Sequence, residues 1–114
     1  MLFHKRFEKG VTEINNRRLE DSKIQEALKR YNRRSLVFKV RKDATYVFYF
    51  SSKDGVKYEL NPQKEPKSMY VEMDKDKAKK LVYRHTLGVM DVLSIVHRNI
   101  KMADINFVRQ LFEA

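Results

Sequence analysis

Cysteine is absent from the 114 residues, which excludes disulfides, thiolate chemistry and any cysteine-ligated zinc site. That absence suits a reducing compartment. Glycine occurs only three times, at Gly10, Gly55 and Gly88, and none of the three belongs to a phosphate-cradling motif. Histidine is equally scarce: His4, His85 and His97 show no two-ligand spacing, so a histidine-based metal site is not expected. No run approaches the roughly 18 apolar residues of a membrane-spanning helix. The start, M-L-F-H-K-R-F-E-K-G, is charged at Lys5, Arg6, Glu8 and Lys9 and lacks the uninterrupted apolar core of a secretion signal. A cytoplasmic protein without a cofactor is the expectation.

Charge is what the chain has in abundance. Charged residues make up 35% of it and hydrophobic residues 42%, a balance that suits one compact domain over residues 1–114 with a heavily ionised exterior. Lysine and arginine number 25 against 15 acids, a net charge of +10. A surplus of that size favours phosphate-rich surfaces, nucleic acid or anionic headgroups, and does not choose between them.

Periodicity divides the chain into elements. Phe3, Phe7, Val11 and Ile14 form one apolar stripe at helical spacing, and Ile24, Ala27, Leu28 and Tyr31 form a second behind a Ser22–Gln25 capping box. The cations Lys29, Arg30, Arg33 and Arg34 then complement the end of the second helix. From Ser35 the period changes to two: S-L-V-F-K-V-R, T-Y-V-F-Y-F-S and V-K-Y-E-L are three strands joined by short polar turns, an antiparallel meander. The middle strand is apolar on both faces, which a one-sided helical cover does not explain. Pro62 and Pro66 bracket a loop, S-M-Y-V-E-M resumes alternation, and Asp74 caps a helix with Ala78, Leu81 and Val82 inward. Ile100 and Met102 suggest a brief fifth strand, and Asp104 the cap of a last helix burying Ile105, Val108, Leu111 and Phe112.

The least water-tolerant stretch is Thr86 to Val96, T-L-G-V-M-D-V-L-S-I-V. As a helix over 86–97 it carries apolar residues around well over half of its surface and needs apolar neighbours on two sides. One side can be a sheet; the other can be further helices or an apolar ligand.

The inventory for catalysis is thin. Asp74 and Asp76 form the closest acidic pair, but both are accounted for at a helix start; Asp91 lies on the narrow polar side of the apolar stretch. No enzyme signature emerges. The strand T-Y-V-F-Y-F in a basic protein raises base stacking, yet the strand lacks the basic and glycine pattern of an RNA-recognition strand, and the element order is not βαββαβ. Nucleic acid is therefore the less favoured partner. Met69, Met73, Met90 and Met102 fall on elements expected to meet, where methionine either lines an adaptable pocket or fills core.

In their order and spacing, S-L-V-F-K-V, T-Y-V-F-Y-F, the Asp54-Gly55 turn, M-Y-V-E-M-D, Gly88 before V-M-D-V-L-S-I-V, and N-I-K-M-A-D-I-N-F-V-R-Q-L-F resemble the sterol carrier protein type 2 family of small lipid-binding domains. The resemblance covers nearly the whole chain. It implies an α+β fold, a five-stranded antiparallel or mixed sheet covered mainly on one face by helices, with an apolar tunnel between them and no catalysis. Phe38, Phe48 and Met73 would then look up from the sheet at a fatty acyl or other apolar molecule, and Leu81, Met90, Leu93, Met102, Phe107 and Leu111 down or across at it. Members commonly carry glycine on both sides of the last strand, where Arg98-Asn99 and Ala103-Asp104 stand here; asparagine tolerates positive φ. The basic exterior adds peripheral contact with an anionic membrane. Two other readings stay open: a small basic nucleic-acid-binding protein, and a ligand-free interaction module with a filled core. No oligomeric state is implied.

Overall fold

The computed structural model describes residues 1–84 and 89–113. The first stripe forms α1 (His4–Arg17), whose buried face is Phe7, Val11 and Ile14, and the second forms α2 (Ser22–Arg30) with Ile24, Ala27 and Leu28 inward. The cap of α2 is Asp21 rather than Ser22: its carboxylate accepts from the backbone N–H groups of Lys23 and Ile24, while Gln25 donates to the Arg18 carbonyl instead of closing a box. An ionised carboxylate is the stronger acceptor at a helix start, which explains the one-residue shift.

Strands β1 (Ser35–Val40), β2 (Ala44–Ser51) and β3 (Gly55–Leu60) form the expected antiparallel meander, and β4 (Met69–Met73) pairs in parallel with β1, Leu36 opposite Met69 and Val40 opposite Met73. The sheet is mixed, ordered β3-β2-β1-β4-β5. Its fifth strand is not at Ile100–Met102. β5 is Val96–Arg98, antiparallel to β4, and Met102 instead opens the last helix, α5 (Met102–Glu113). The turn between them is made at Asn99, which takes φ 55° in place of a glycine. Gly55 has φ +86°, and a Cβ there would lie 2.2 Å from the Asn15 side-chain oxygen. That close approach is used: the Asn15 amide donates to the Val56 carbonyl at 2.9 Å and accepts from the Val56 N–H at 2.8 Å, fastening the end of α1 to the edge strand.

Leu36, Phe38 and Val40 on β1 and Tyr46, Phe48 and Phe50 on β2 join the helices in the main core. The opposite face has a small core of its own, Val37, Val47 and Tyr70 with Tyr49 beside them, which is why β2 is apolar on both sides. The path from β3 to β4 follows from topology. β3 and β4 are parallel and separated by β2 and β1, so residues 61–68 must travel back along the sheet and across two strands, a path that eight residues at about 3.3 Å each span only when nearly extended. Pro62 and Pro66 favour that conformation.

The helical cover after β4 differs from expectation. Asp74 does cap α3 (Lys75–Lys79), accepting from the Lys77 N–H at 2.8 Å, but the helix widens at once into a π-helical turn, Lys80–Arg84. Of the long helix expected over 86–97, the described residues show α4 (Val89–Leu93), and its continuation is β5; His85 and Thr86 to Gly88 lie outside the described residues. Pairing of Val96 with Glu72 and of His97 with Val71 ends the helix, a tertiary demand that periodicity does not register.

Phe7 touches Phe3, Phe38, Tyr46, Phe48 and Tyr58 with ring centroids 5.0 to 6.3 Å apart. Truncating it would leave a void among rings that cannot collapse. Phe7→Ala is expected to destabilise the protein by about 3–5 kcal/mol, read from the urea midpoint at unchanged slope.

Candidate functional site

The side chains expected to surround a ligand divide into two groups. Phe38, Phe48, Met73, Phe107 and Leu111 are buried. Phe38 faces Phe3 and Phe7, and Phe48 faces Phe7, Tyr58 and Phe112, so the aromatic floor over β1 and β2 is occupied by rings from α1 and α5. Gly10 permits part of this: a Cβ there would meet the Phe112 ring at 3.4 Å. Phe107 stacks on Tyr31 at 3.7 Å, with planes 12° apart, and meets Phe50 edge-on.

The second group faces water. Met90 is 77% exposed, Leu93 74%, Met102 70% and Leu81 37%. Met90 and Leu93 share one face of α4, three residues apart, whereas Met102 lies with exposed Ile105 on the outer side of α5, away from Phe107 and Leu111. Periodicity alone puts Ile105 inside, and the structure corrects it. The set thus divides between core and surface, and the four methionines separate into buried Met69 and Met73 and exposed Met90 and Met102. Beneath the segment from α3 to β5, Ala78 is buried, and Val82, Ile95 and Ile100 pack partly buried against the core that holds Met69 and Met73. Asp91 is not a freely solvated carboxylate: the Lys80 ammonium lies 3.4 Å away and holds α4 against the π-helical turn.

A polar cluster missed by sequence reasoning sits where α2, β1 and α5 converge. Asp104 is 5% exposed, and its carboxylate accepts from the Tyr31 hydroxyl at 2.6 Å and from the Lys101 N–H at 2.8 Å. It is therefore not the cap of α5. It is the acid three residues inside that reaches back to the first free N–H of the helix. The Arg34 guanidinium lies 3.7 Å from Asp104 and 4.7 Å above the Tyr31 ring. A cleft of about 510 Å³ opens here, lined by Arg34, Asn99, Ile100, Lys101 and Asp104; a second, of about 450 Å³, is lined by Arg17, Glu20, Asp21, Ser22 and Lys23. Neither includes any of the expected ligand-facing residues. The available signal for this cluster was an acid one turn before an aromatic on the last helix, which helix capping had already absorbed.

Electrostatics describe hydrogen-bonding groups. Burial raises the Tyr46 and Tyr58 phenols, which keeps them protonated well above neutral pH. Tyr58 bonds His4 at 2.8 Å, and the other His4 nitrogen lies 3.2 Å from Glu8. Among the described residues no three His, Asp or Glu side chains gather as metal ligands, and no helix is long and apolar enough to cross a membrane. On β2, Tyr46, Phe48 and Phe50 are buried, and Tyr49 on the other face donates to Glu59, so the strand presents no open aromatic row to stack on bases.

No family model matches the sequence, and no curated protein does. Solved structures do. One described as UbiJ-SCP2, a ubiquinone synthesis protein, superposes with a TM-score of 0.62 at 14% identity, covering 90% of this chain and 89% of that one. The fold is sterol-carrier-protein-like. A conserved hypothetical protein of Thermus thermophilus, solved in solution and described as a candidate sterol carrier protein, superposes at 0.56 with 13% identity over 91% of this chain and 76% of that one. The sterol-carrier-like architecture, an α+β five-stranded mixed sheet under helices, agrees with the expectation from sequence order.

Burial alone would raise the Asp104 carboxyl, but the hydrogen bonds from Tyr31 and Lys101 and the charge of Arg34 hold it below the usual carboxylate range. A lowered folded-state value contributes stability above the unfolded value of about 3.9, and that contribution is lost as pH falls through the folded one. Asp104→Asn should cost about 1–3 kcal/mol at pH 7 and flatten the acid limb of the melting-temperature profile below pH ~4 relative to the parent protein.

Proposed function

We propose that the protein binds an apolar or amphipathic, lipid-like ligand and performs no chemistry on it. The observation that carries this reading is the pair of large apolar side chains left in water on α4, Met90 and Leu93, with Leu81 on the π-helical turn, within a sterol-carrier-like fold. Among the described residues, α3 runs straight into the π-helical turn and α4 is five residues long between β4 and β5. π-helical turns cost backbone regularity and collect at sites of function. The ligand's hydrocarbon would lie under this segment, over Met73 and toward Phe107 and Leu111, with Leu81, Met90 and Leu93 turned onto it. Each buried methylene contributes about 0.8 kcal/mol, so a long acyl chain needs few polar contacts to bind. Sterols and ubiquinone, the molecules named for the two structural neighbours, are apolar in the same sense.

A second reading has an observation of its own. The rings over Phe38 and Phe48 fill the sheet's centre, as an interaction module with a solid core would have them. Gentle purification followed by native mass spectrometry separates the two. The ligand-binding reading expects a lipid-sized adduct, and a long-chain saturated fatty acid at about 100 times its Kd should add about 2.7 kcal/mol of stability, visible as a raised Tm. Leu81→Glu should weaken that acid's binding tenfold or more by placing a carboxylate against the chain. Bare protein, with no Tm change across fatty acids, sterols and quinones, would leave the filled-core module.

A further inference from the structure

We propose that the face formed by the π-helical turn, α4 and the start of β5 seats this protein on an anionic lipid bilayer. Contacts between neighbouring elements make the face continuous. Tyr83, half exposed, donates to the Leu2 carbonyl and packs on Phe3; Leu81 shares its turn; the Lys80–Asp91 pair joins that turn to α4, which carries Met90 and Leu93; and exposed Val96 follows at once on the outermost strand. Apolar side chains at this level of exposure are unfavourable in water unless something covers them part of the time.

Charge selects the cover. Lys75 and Lys79 lie on α3 and Arg84 ends the turn, with no anionic partner among the described residues, and Arg6 reaches the turn over the Tyr83 ring at 5.0 Å. A second copy of the chain would oppose these cations with its own, in a protein of net charge +10. Nucleic acid would satisfy the cations and leave Met90 and Leu93 unburied. An anionic bilayer offers phosphate to the cations and hydrocarbon to Met90 and Leu93 at once. Docking rests on the ligand-binding reading only for its purpose, since a lipid-like ligand would be collected there; the seating itself stands on exposure and charge.

Cosedimentation with vesicles tests it. Vesicles of phosphatidylcholine with about 30 mol% phosphatidylglycerol should bind the protein at least roughly tenfold more tightly than pure phosphatidylcholine, with binding falling as salt rises. Met90→Glu with Leu93→Glu should weaken binding by roughly tenfold or more, and because both positions are largely in water the fold should tolerate them, checked by an unchanged Tm. Leu19→Glu is the control: Leu19 is 69% exposed but lies between α1 and α2, and it should leave binding unchanged. Equal affinity for neutral and anionic vesicles would overturn the proposal. So would salt-sensitive binding indifferent to the double substitution, which would assign the attraction to net charge alone, and so would a dimer abolished by that substitution or a preference for oligonucleotides over vesicles. Uptake of a soluble fluorescent fatty acid without vesicles is measured in parallel: docking without uptake sinks the ligand reading and keeps this one, and uptake without docking does the reverse.

Discussion

Everything on the helical side depends on how α1 is clamped to the sheet. Phe3 and Phe7 enter a set of rings, Phe38, Tyr46, Phe48 and Tyr58, supplied by three different strands, and the backbone N–H of Phe3 donates to the Tyr46 hydroxyl, which in turn donates to Asp43. Aromatic pairs in offset and edge-on geometry contribute beyond their buried area, and each ring here has several such neighbours. At the other end of the helix, Asn15 completes the attachment through Val56. A helix fixed at both ends over β1 to β3 determines where α2 and α5 can lie, since α5 must reach both.

That arrangement leaves the two sides of the sheet unequally roofed. Over β1 to β3 the cover is long helices with solid aromatic packing, and what Phe38 and Phe48 face is protein. Past β4 it is made of short pieces, held by the cap at Asp74, the Lys80–Asp91 pair and partly buried Val82, Ile95 and Ile100. Few buried contacts per residue and a π-helical turn describe a segment that opens at lower free energy than the rest. The proposed binding and the proposed docking both fall there for the same reason: exposed hydrocarbon is tolerable only where the fold can change what covers it.

The sequence was legible wherever one residue's environment followed from its own neighbours in the chain. The Phe7, Val11, Ile14 stripe, the alternation of Leu36, Phe38 and Val40, the cap at Asp74 and the positive φ tolerated at Asn99 are local facts and were found at their places. Val96 to Arg98 became a strand because Glu72 and Tyr70 present an open edge, a fact located more than twenty residues away. Asp104 reads as a cap in the sequence because the partner that buries it, Tyr31, comes from the second helix. Val47 looked surplus to a one-sided sheet because the second core it joins is completed by Val37 and Tyr70 from other strands. The expected ligand-facing set divides into buried and exposed side chains because a wide apolar arc on a short segment does not say which part of the arc meets protein.

The parallel ladder between β1 and β4 also orders the assembly of the chain. β1, β2 and β3 close through turns of a few residues, so their ladders form at small entropic cost. Leu36 cannot meet Met69 until the whole meander and the connection over residues 61–68 close a long loop, a pairing that loop-closure entropy defers. The edge that β5 needs does not exist before that step. The outermost strand is therefore completed on a template that the meander and β4 must already have built, and α5, which follows it, closes the core last through Phe107 and Leu111.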